Sequence, residues 1–343
     1  MGPGPSDRRV AEPTSMSGRR PCKPTAPGAV APEARRWLRL LPWLVTALCF
    51  AYLYGRLDRA AAAEGQRLLP YLAAIFESVS WPRWLTLMIP YCVLFFAIDS
   101  LVVWRVIAWF NTRLRYTDVL PIRASAYILS IVNEQVSKGA IALYLHRRDG
   151  IPGWEVASSM LFIMFCEYYY LLIWATVGVT LRWERFPAIF HLIPWIAAGS
   201  GVFFVLFHLF FRGRIRAGTS VRDRPIFRSF RLAKVRHYAA VVALRSPAML
   251  AAVLVYTAAL RLFGVTAGVG EMLGYLPVIF FGAATPGPMH SVAIVLWVLL
   301  FPERPGTMVT FGFVQHNFFV LFNAGLGLLF LRRAMRELFA PAP

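Results

Sequence analysis

Charge is scarce in this sequence. Asp, Glu, Lys and Arg make up only 15% of its 343 residues, against about a quarter in soluble domains. That shortage excludes an ordinary soluble enzyme. Lysine is nearly missing, with Lys23, Lys138 and Lys234 the only examples. The four cysteines (Cys22, Cys49, Cys92, Cys166) form no CxxC pair, so neither a zinc site nor a disulfide framework is expected. There is no HExxH, no GxSxG and no Walker sequence. Metal-dependent hydrolysis, serine hydrolysis and ATP-driven pumping therefore have no encoded machinery, and we expect no enzyme activity, cofactor or metal.

What fills the chain instead is apolar sequence: 58% hydrophobic residues, 15% aromatic, and a mean hydropathy of +0.57. Such runs make a polytopic membrane protein. The net charge of +19 comes from 36 Lys and Arg against 17 Asp and Glu. These cations sit in tails and loops between apolar segments, where anionic headgroups attract them, so the expected partners are anionic membrane lipids and not nucleic acid.

Residues 1–36 are rich in Pro, Gly, Ser and Arg and cannot bury enough apolar surface to fold alone. A disordered cytoplasmic tail is expected there, followed by a membrane domain over 37–337 and a short tail over 338–343. The stretch 212–237 holds nine cations and one acid, with Ile226, Phe227, Phe230 and Leu232 interleaved. The pattern predicts a helix lying in the headgroup layer with Arg222, Arg224, Arg228, Arg231, Lys234 and Arg236 on lipid headgroups. A plain positive-inside loop fits the same residues.

A helical span needs about 20 mostly apolar residues. Six segments qualify: 38–54, 84–104, 155–181, 187–211, 239–263 and 307–331. Two more stretches are interrupted. In 119–146 a polar cluster around Asn133, Glu134, Lys138 and Gly139 sits near the middle, and in 273–301 Thr285-Pro286-Gly287-Pro288 breaks the helix. Each arm is about 13 residues, or about 20 Å of helix, too short for a core of about 30 Å. A hairpin that enters and leaves by one face resolves this, provided its broken backbone meets protein or water.

Loop charge agrees. With the N-terminal tail inside, two hairpins place Arg147, Arg148, the nine-cation loop and the cluster Arg332, Arg333, Arg336 inside as well. The exception is 55–83, outside yet carrying Arg56, Arg59, Arg67 and Arg83. Span–hairpin–span then occurs twice, over 84–181 and 239–331, with the hairpins opening from opposite faces. The expected fold is thus an all-α integral membrane bundle of six full spans and two re-entrant helical hairpins arranged as an inverted repeat, an architecture of many secondary transporters.

The stretch 130–174, SIVNEQVSKGAIALYLHRRDGIPGWEVASSMLFIMFCEYYYLLIW, resembles a signature of the flippase-like membrane family that includes the transmembrane region of lysylphosphatidylglycerol synthases. Asn133, Gly139, Arg147, Arg148, Gly150, Ile151 and Glu167 carry the likeness. Pro286, Gly287, Gly325 and Gly327 match a second signature, a Pro-Gly break before a Gly-rich last span. The chain departs from the family at Ser137-Lys138-Gly139, at Met289-His290-Ser291 and near Gln315-His316-Asn317, which leaves the substrate open. The resemblance implies movement of lipids or lipid-linked molecules between leaflets of a bacterial inner (plasma) membrane, with both termini cytoplasmic. The family's lysyl-transferring domain has no counterpart here, so lysyl-lipid synthesis is not implied.

An ionised group at mid-bilayer costs about 2.5–3.5 kcal/mol on insertion scales, so it faces protein or water. The candidate pathway residues are Asn133, Glu134, Lys138, Glu167, Pro286, Gly287, His290, Gln315, His316 and Asn317. Glu134 and Lys138, four apart, are neighbours on a helix and read equally well as a structural brace. Glu167 could bond a tyrosine or cap the first hairpin. His290 and His316 read as proton shuttles, phosphate contacts or helix–helix hydrogen bonds. Asp99 with Arg105 reads as an interfacial pair. Three functions compete: a translocase for a lipid or lipid-linked intermediate, a non-transporting partner of a lipid or glycan biosynthesis enzyme docked through 212–237, and, least favoured, a lipid-modifying enzyme.

Overall fold

The computed structural model describes residues 32–130, 134–215, 219–283 and 291–339, with the side chains at 32–43, 45–46, 134–135, 219, 335 and 337–339 left aside. The chain divides into two units, Met1–Leu40 and Leu41–Pro343; apart from the start of the first helix, every element below belongs to the second. Among the described residues the regular structure is entirely helical: α1 (Pro32–Ala63), α2 (Leu68–Glu77), α3 (Trp81–Phe110), α4 (Tyr116–Ser130), α5 (Glu134–Asp149), α6 (Gly153–Leu181), α7 (Ile193–Phe211), α8 (Thr219–Arg222), α9 (Arg228–Leu232), α10 (Val235–Leu262), α11 (Val269–Ala283), α12 (Ser291–Leu300) and α13 (Pro305–Phe339).

Five helical segments are long and apolar enough to cross a bilayer: Trp81–Phe110, Gly153–Leu181, Ala188–Phe211, Val235–Leu262 and Pro305–Ala334. They cover, to within one residue at an end, five of the six segments expected from hydropathy. The sixth, 38–54, lies inside α1, much of whose side-chain detail falls outside the described residues. The protein is therefore a multi-pass, all-α membrane bundle. Within the stretch 55–83, α1 continues to Ala63 and α2 adds a short apolar helix whose Tyr71 fills the space beside Gly306.

Both interrupted stretches form two packed arms. Arg123 Nη1 in α4 donates to Ser137 Oγ in α5 at 3.3 Å, whereas 14 residues of straight helix span about 21 Å. The chain therefore folds back between them. In the second pair, a Cβ on Gly282 of α11 would meet Leu296 Cδ1 of α12 at 2.4 Å. Lys138 and Gly139 of the polar cluster lie within α5, and Asn133 falls outside the described residues.

The two halves repeat each other's packing. α3 packs on α10; α4 runs along α13 as α11 runs along α6; α5 lies on α6 as α12 lies on α13. Matching prolines sit inside the paired helices, Pro90 of α3 with Pro247 of α10 and Pro121 of α4 with Pro277 of α11. The halves also run in opposite directions. Along the α3–α10 seam Trp81 meets Phe263, Tyr91 meets Tyr256, Asp99 meets Arg245 and Trp109 meets His237, so one index rises as the other falls.

Two close crossings lock the halves together. A Cβ on Gly178 of α6 would lie 2.0 Å from Gly274 Cα of α11, and one on Gly327 of α13 would lie 2.4 Å from the Ala124 carbonyl oxygen of α4. Gly325, one turn face away, has open space. Gly325→Ala is expected to raise stability by about 0.5–1 kcal/mol through helix propensity alone, read as a higher midpoint of thermal unfolding in detergent. α7 meets α6 through the Tyr168 hydroxyl on Ser200 Oγ (2.9 Å), the Tyr169 hydroxyl on the Ser200 carbonyl (2.8 Å) and the stacking of Phe207 on Phe165.

The basic stretch departs from expectation. In place of one surface helix, the chain forms α8, a turn at Pro225–Phe227 and the short α9. Pro225 cannot continue a helix ladder, and Phe230, 1% exposed, packs into the core with Phe162 and Phe211 instead of lying in headgroups. Arg228 turns inward to the Glu155 carboxylate and the Phe110 carbonyl, and Arg231 holds the carbonyls of Arg222 and Arg224. Arg224, Lys234 and Arg236 remain exposed, and Arg222 is half-buried. Arg228→Ala is expected to loosen this loop, visible as faster protease cleavage between α7 and α10 with α3 and α6 still intact.

Candidate functional site

The prolines and glycines that pair the halves also bring polar side chains to one place. Asp99 comes from α3, Arg123 and Tyr127 from α4, Lys138 from α5, Glu167 from α6 and Arg245 from α10. All but Lys138, which sits in the polar start of α5, come from inside otherwise apolar runs. They turn inward because lipid offers an ionised group no partner.

Asp99, 3% exposed, is the hub. Its Oδ2 accepts from Arg123 Nε at 2.5 Å and from the Tyr127 hydroxyl at 2.7 Å, and its Oδ1 accepts from Arg245 Nη2 at 2.9 Å. Arg245 also donates through Nη1 to Glu167 Oε1 at 3.1 Å, and Lys138 Nζ donates to Glu167 Oε2 at 2.7 Å. The Arg123 guanidinium stacks over the Tyr127 ring, 4.1 Å from its centroid. The Tyr170 hydroxyl donates to the Arg245 carbonyl at 3.2 Å. Buried charges are tolerated only when geometry and extra hydrogen bonds offset desolvation, and this network has both.

The network forms one wall of a cavity of about 150 Å³ between the halves. Its polar lining includes Asp99, Arg123, Ser130, Glu167, Arg245, His316 and Asn323, and aromatic rings of α3, α4, α6, α10, α11 and α13 make up much of the rest. Several of these polar residues lie near the middle of their helices, which places the cavity at mid-span. The space suits a few waters and a small polar group. Asn323 is 1% exposed; its Nδ2 donates to the Phe319 carbonyl at 2.9 Å, and its Oδ1 has no partner among the described residues. The Trp297 indole donates to His316 Nε2 at 3.3 Å.

Of the sequence-derived pathway residues, the structure brings Glu167 and His316 to the cavity and joins Lys138 to it through Glu167. Gln315 is fully buried near the Tyr256 phenol and off the cavity wall; neither amide atom reaches hydrogen-bond geometry with a described group. Asn317 does not join the wall either: its Nδ2 bonds back to the Phe313 carbonyl at 2.7 Å, as its helical phase dictates. Asn133, Pro286, Gly287, His290 and the side chain of Glu134 lie outside the described residues. Asp99 does not pair with Arg105, whose guanidinium lies over Trp104, 4.5 Å from the ring centroid.

Sequence reasoning missed Arg123, Tyr127, Arg245 and Asn323. A signal existed for the arginines: each is an ionised residue inside an apolar run, which by itself marks a buried partner. Among the described residues no group of His, Cys, Asp and Glu could hold a metal ion. Fold and site together define a multi-pass helical membrane protein with an ion-paired cavity between two oppositely directed halves. Comparison with known protein families, with curated proteins and with solved structures gives no match.

Proposed function

We propose that this protein is a translocase that moves the headgroup of a lipid or lipid-linked intermediate between leaflets, in a bacterial inner membrane with both termini cytoplasmic. The observation that carries this reading is the ion-paired cavity at mid-span, shared by two halves of opposite direction. Paired charges there give a polar group a path that lipid denies it, and inverted halves can open it alternately to either side. The acyl chains stay in lipid while the headgroup crosses.

In this reading the arms α4–α5 and α11–α12 are re-entrant hairpins and α1 supplies a sixth span. Single cysteines at 147–150 and at 302–306 are expected to react with impermeant reagents from opposite sides of the membrane; labelling from one side alone overturns the hairpins. The likeness of 130–174 and 284–331 to flippase-like proteins supports the same reading. Arg224, Lys234 and Arg236 then face an anionic leaflet, each contributing about 1 kcal/mol. A non-transporting partner role rests on the same basic loop, in which Arg228 is engaged by Glu155 and the Phe110 carbonyl and Arg231 by carbonyls of the loop itself.

The test is transfer of fluorescent lipid in proteoliposomes. Glu167→Gln keeps shape and removes the charge that Lys138 and Arg245 share. The expected result is transfer slowed at least about tenfold, a barrier change of about 1.4 kcal/mol. Undiminished transfer in Glu167→Gln and Arg245→Gln overturns the reading.

A further inference from the structure

The charged side chains of the cavity differ in what they can give a headgroup. Arg123, Tyr127 and Arg245 hold both oxygens of Asp99, and Arg245 and Lys138 hold those of Glu167. An ammonium entering here finds every one of these carboxylate oxygens already facing a protein donor. The guanidinium groups are different. Arg123 and Arg245 line the cavity, and each guanidinium presents five N–H donors and no acceptor, in a fork that matches the oxygens of a phosphate. Among the described side chains of the network, three cations (Arg123, Arg245, Lys138) meet two carboxylates (Asp99, Glu167). One added negative charge balances them.

One acceptor in the same place faces no donor. Asn323 of α13 lines the cavity, is deeply buried, and its Oδ1 has no hydrogen-bond partner among the described residues. Its orientation is fixed by its other end. Nδ2 donates to the Phe319 carbonyl at 2.9 Å, and a carbonyl only accepts, so the oxygen is the atom left over. A buried acceptor without a donor is destabilising, and an occupant that brings a hydroxyl removes that cost.

Helix packing sets Asn323 beside the ions. α4 and α13 run in opposite directions, Gly327 meeting Ala124 and Arg333 meeting Asp118. Asn323 lies one turn before Gly327 and therefore across from Tyr127 and Ile128. Tyr127 is the residue that bonds Asp99 and carries the Arg123 guanidinium over its ring. The free acceptor and the guanidinium donors thus share one end of the cavity.

We infer that the cavity takes a monoanionic phosphodiester whose headgroup carries a free hydroxyl, as glycerol and other polyols do. The non-bridging oxygens accept from Arg123 and Arg245, the negative charge balances the excess cation of the network, and the hydroxyl donates to Asn323 Oδ1. A zwitterionic headgroup leaves its ammonium without a carboxylate oxygen. A phosphodiester without a hydroxyl leaves Asn323 without a donor. This assigns the substrate class within the translocase reading, on which it rests.

The full chain is reconstituted in proteoliposomes, and transfer is followed for three lipids with the same fluorescent acyl chain. Phosphatidylglycerol has the anion and the hydroxyls, phosphatidylmethanol the anion alone, and phosphatidylcholine a quaternary ammonium. Phosphatidylmethanol is expected to cross about tenfold faster than phosphatidylcholine, and phosphatidylglycerol about fivefold faster again. In Asn323→Ala and Asn323→Leu the ratio of phosphatidylglycerol to phosphatidylmethanol is expected to fall to about one. Equal transfer of all three lipids by the parent overturns the substrate class and leaves the translocase reading standing, as does an unchanged ratio in both variants. If none of the three crosses, the translocase reading falls, and unfolding midpoints in detergent decide the binding site. A midpoint raised by dihexanoylphosphatidylglycerol more than by dihexanoylphosphatidylcholine in the parent, and not in Asn323→Ala, sustains the site; equal midpoints overturn it as well.

Discussion

Replacing Asp99 with Asn is expected to destabilise the protein by about 3–5 kcal/mol, the range found when one partner of a buried ion pair is removed. Asp99 neutralises Arg123 and Arg245 and accepts from Tyr127, all three within 2.9 Å. Asparagine keeps the shape and one acceptor oxygen but leaves two guanidinium groups facing a neutral amide in a low-dielectric site. The arginines still find some relief: Arg245 keeps Glu167 and Arg123 keeps Ser137. Thermal unfolding in mild detergent should show a large drop in midpoint. Arg245→Met in the same background should recover part of it, because the orphaned cation is then gone. A midpoint within a degree or two of the parent would mean that the pairs are loose and that the wall is already hydrated.

Adding a side chain at Gly178 is expected to have an effect as large, by a different mechanism. The position needs no unusual backbone; it needs absence of a Cβ, because Gly274 Cα lies 2.0 Å from where that atom would sit. The three atoms nearest that point, Gly274 Cα and N and the Leu273 carbonyl oxygen, are all backbone, so no side chain can rotate away. Gly178→Leu must push α6 from α11, breaking a contact that close packing does not let relax gradually. The cost should exceed the about 1–3 kcal/mol typical of overpacking, seen as loss of monodisperse protein on size-exclusion chromatography. Gly325→Leu, in open space on α13, is the control and should elute as the parent does. Equal behaviour of the two variants would show that the α6–α11 crossing is not a fixed contact.

Much of the architecture was legible before any helix was placed. Five spans could be read from apolar length, and the second interrupted stretch from its proline-rich centre. The paired prolines, Pro90 with Pro247 and Pro121 with Pro277, were a further repeat signal that hydropathy overlooks, because a single proline barely changes an apolar average. The basic stretch misled for a reason that is also physical. Interleaved aromatics and arginines look the same whether the rings face lipid or a protein core, and only the position of α6 decides that Phe230 faces protein.

The sequence alone determined the class: a chain so poor in charge and so rich in long apolar runs must satisfy its backbone within helices and lie in a bilayer. It also placed five of those helices, though not their ends, since apolar length is a local property. Which ions meet was decided only by tertiary structure. Asp99 pairs with residues 24 and 146 positions away and not with Arg105 on its own helix. An ion pair is a matter of distance in space, and the packing of α4 and α10 against α3 sets those distances.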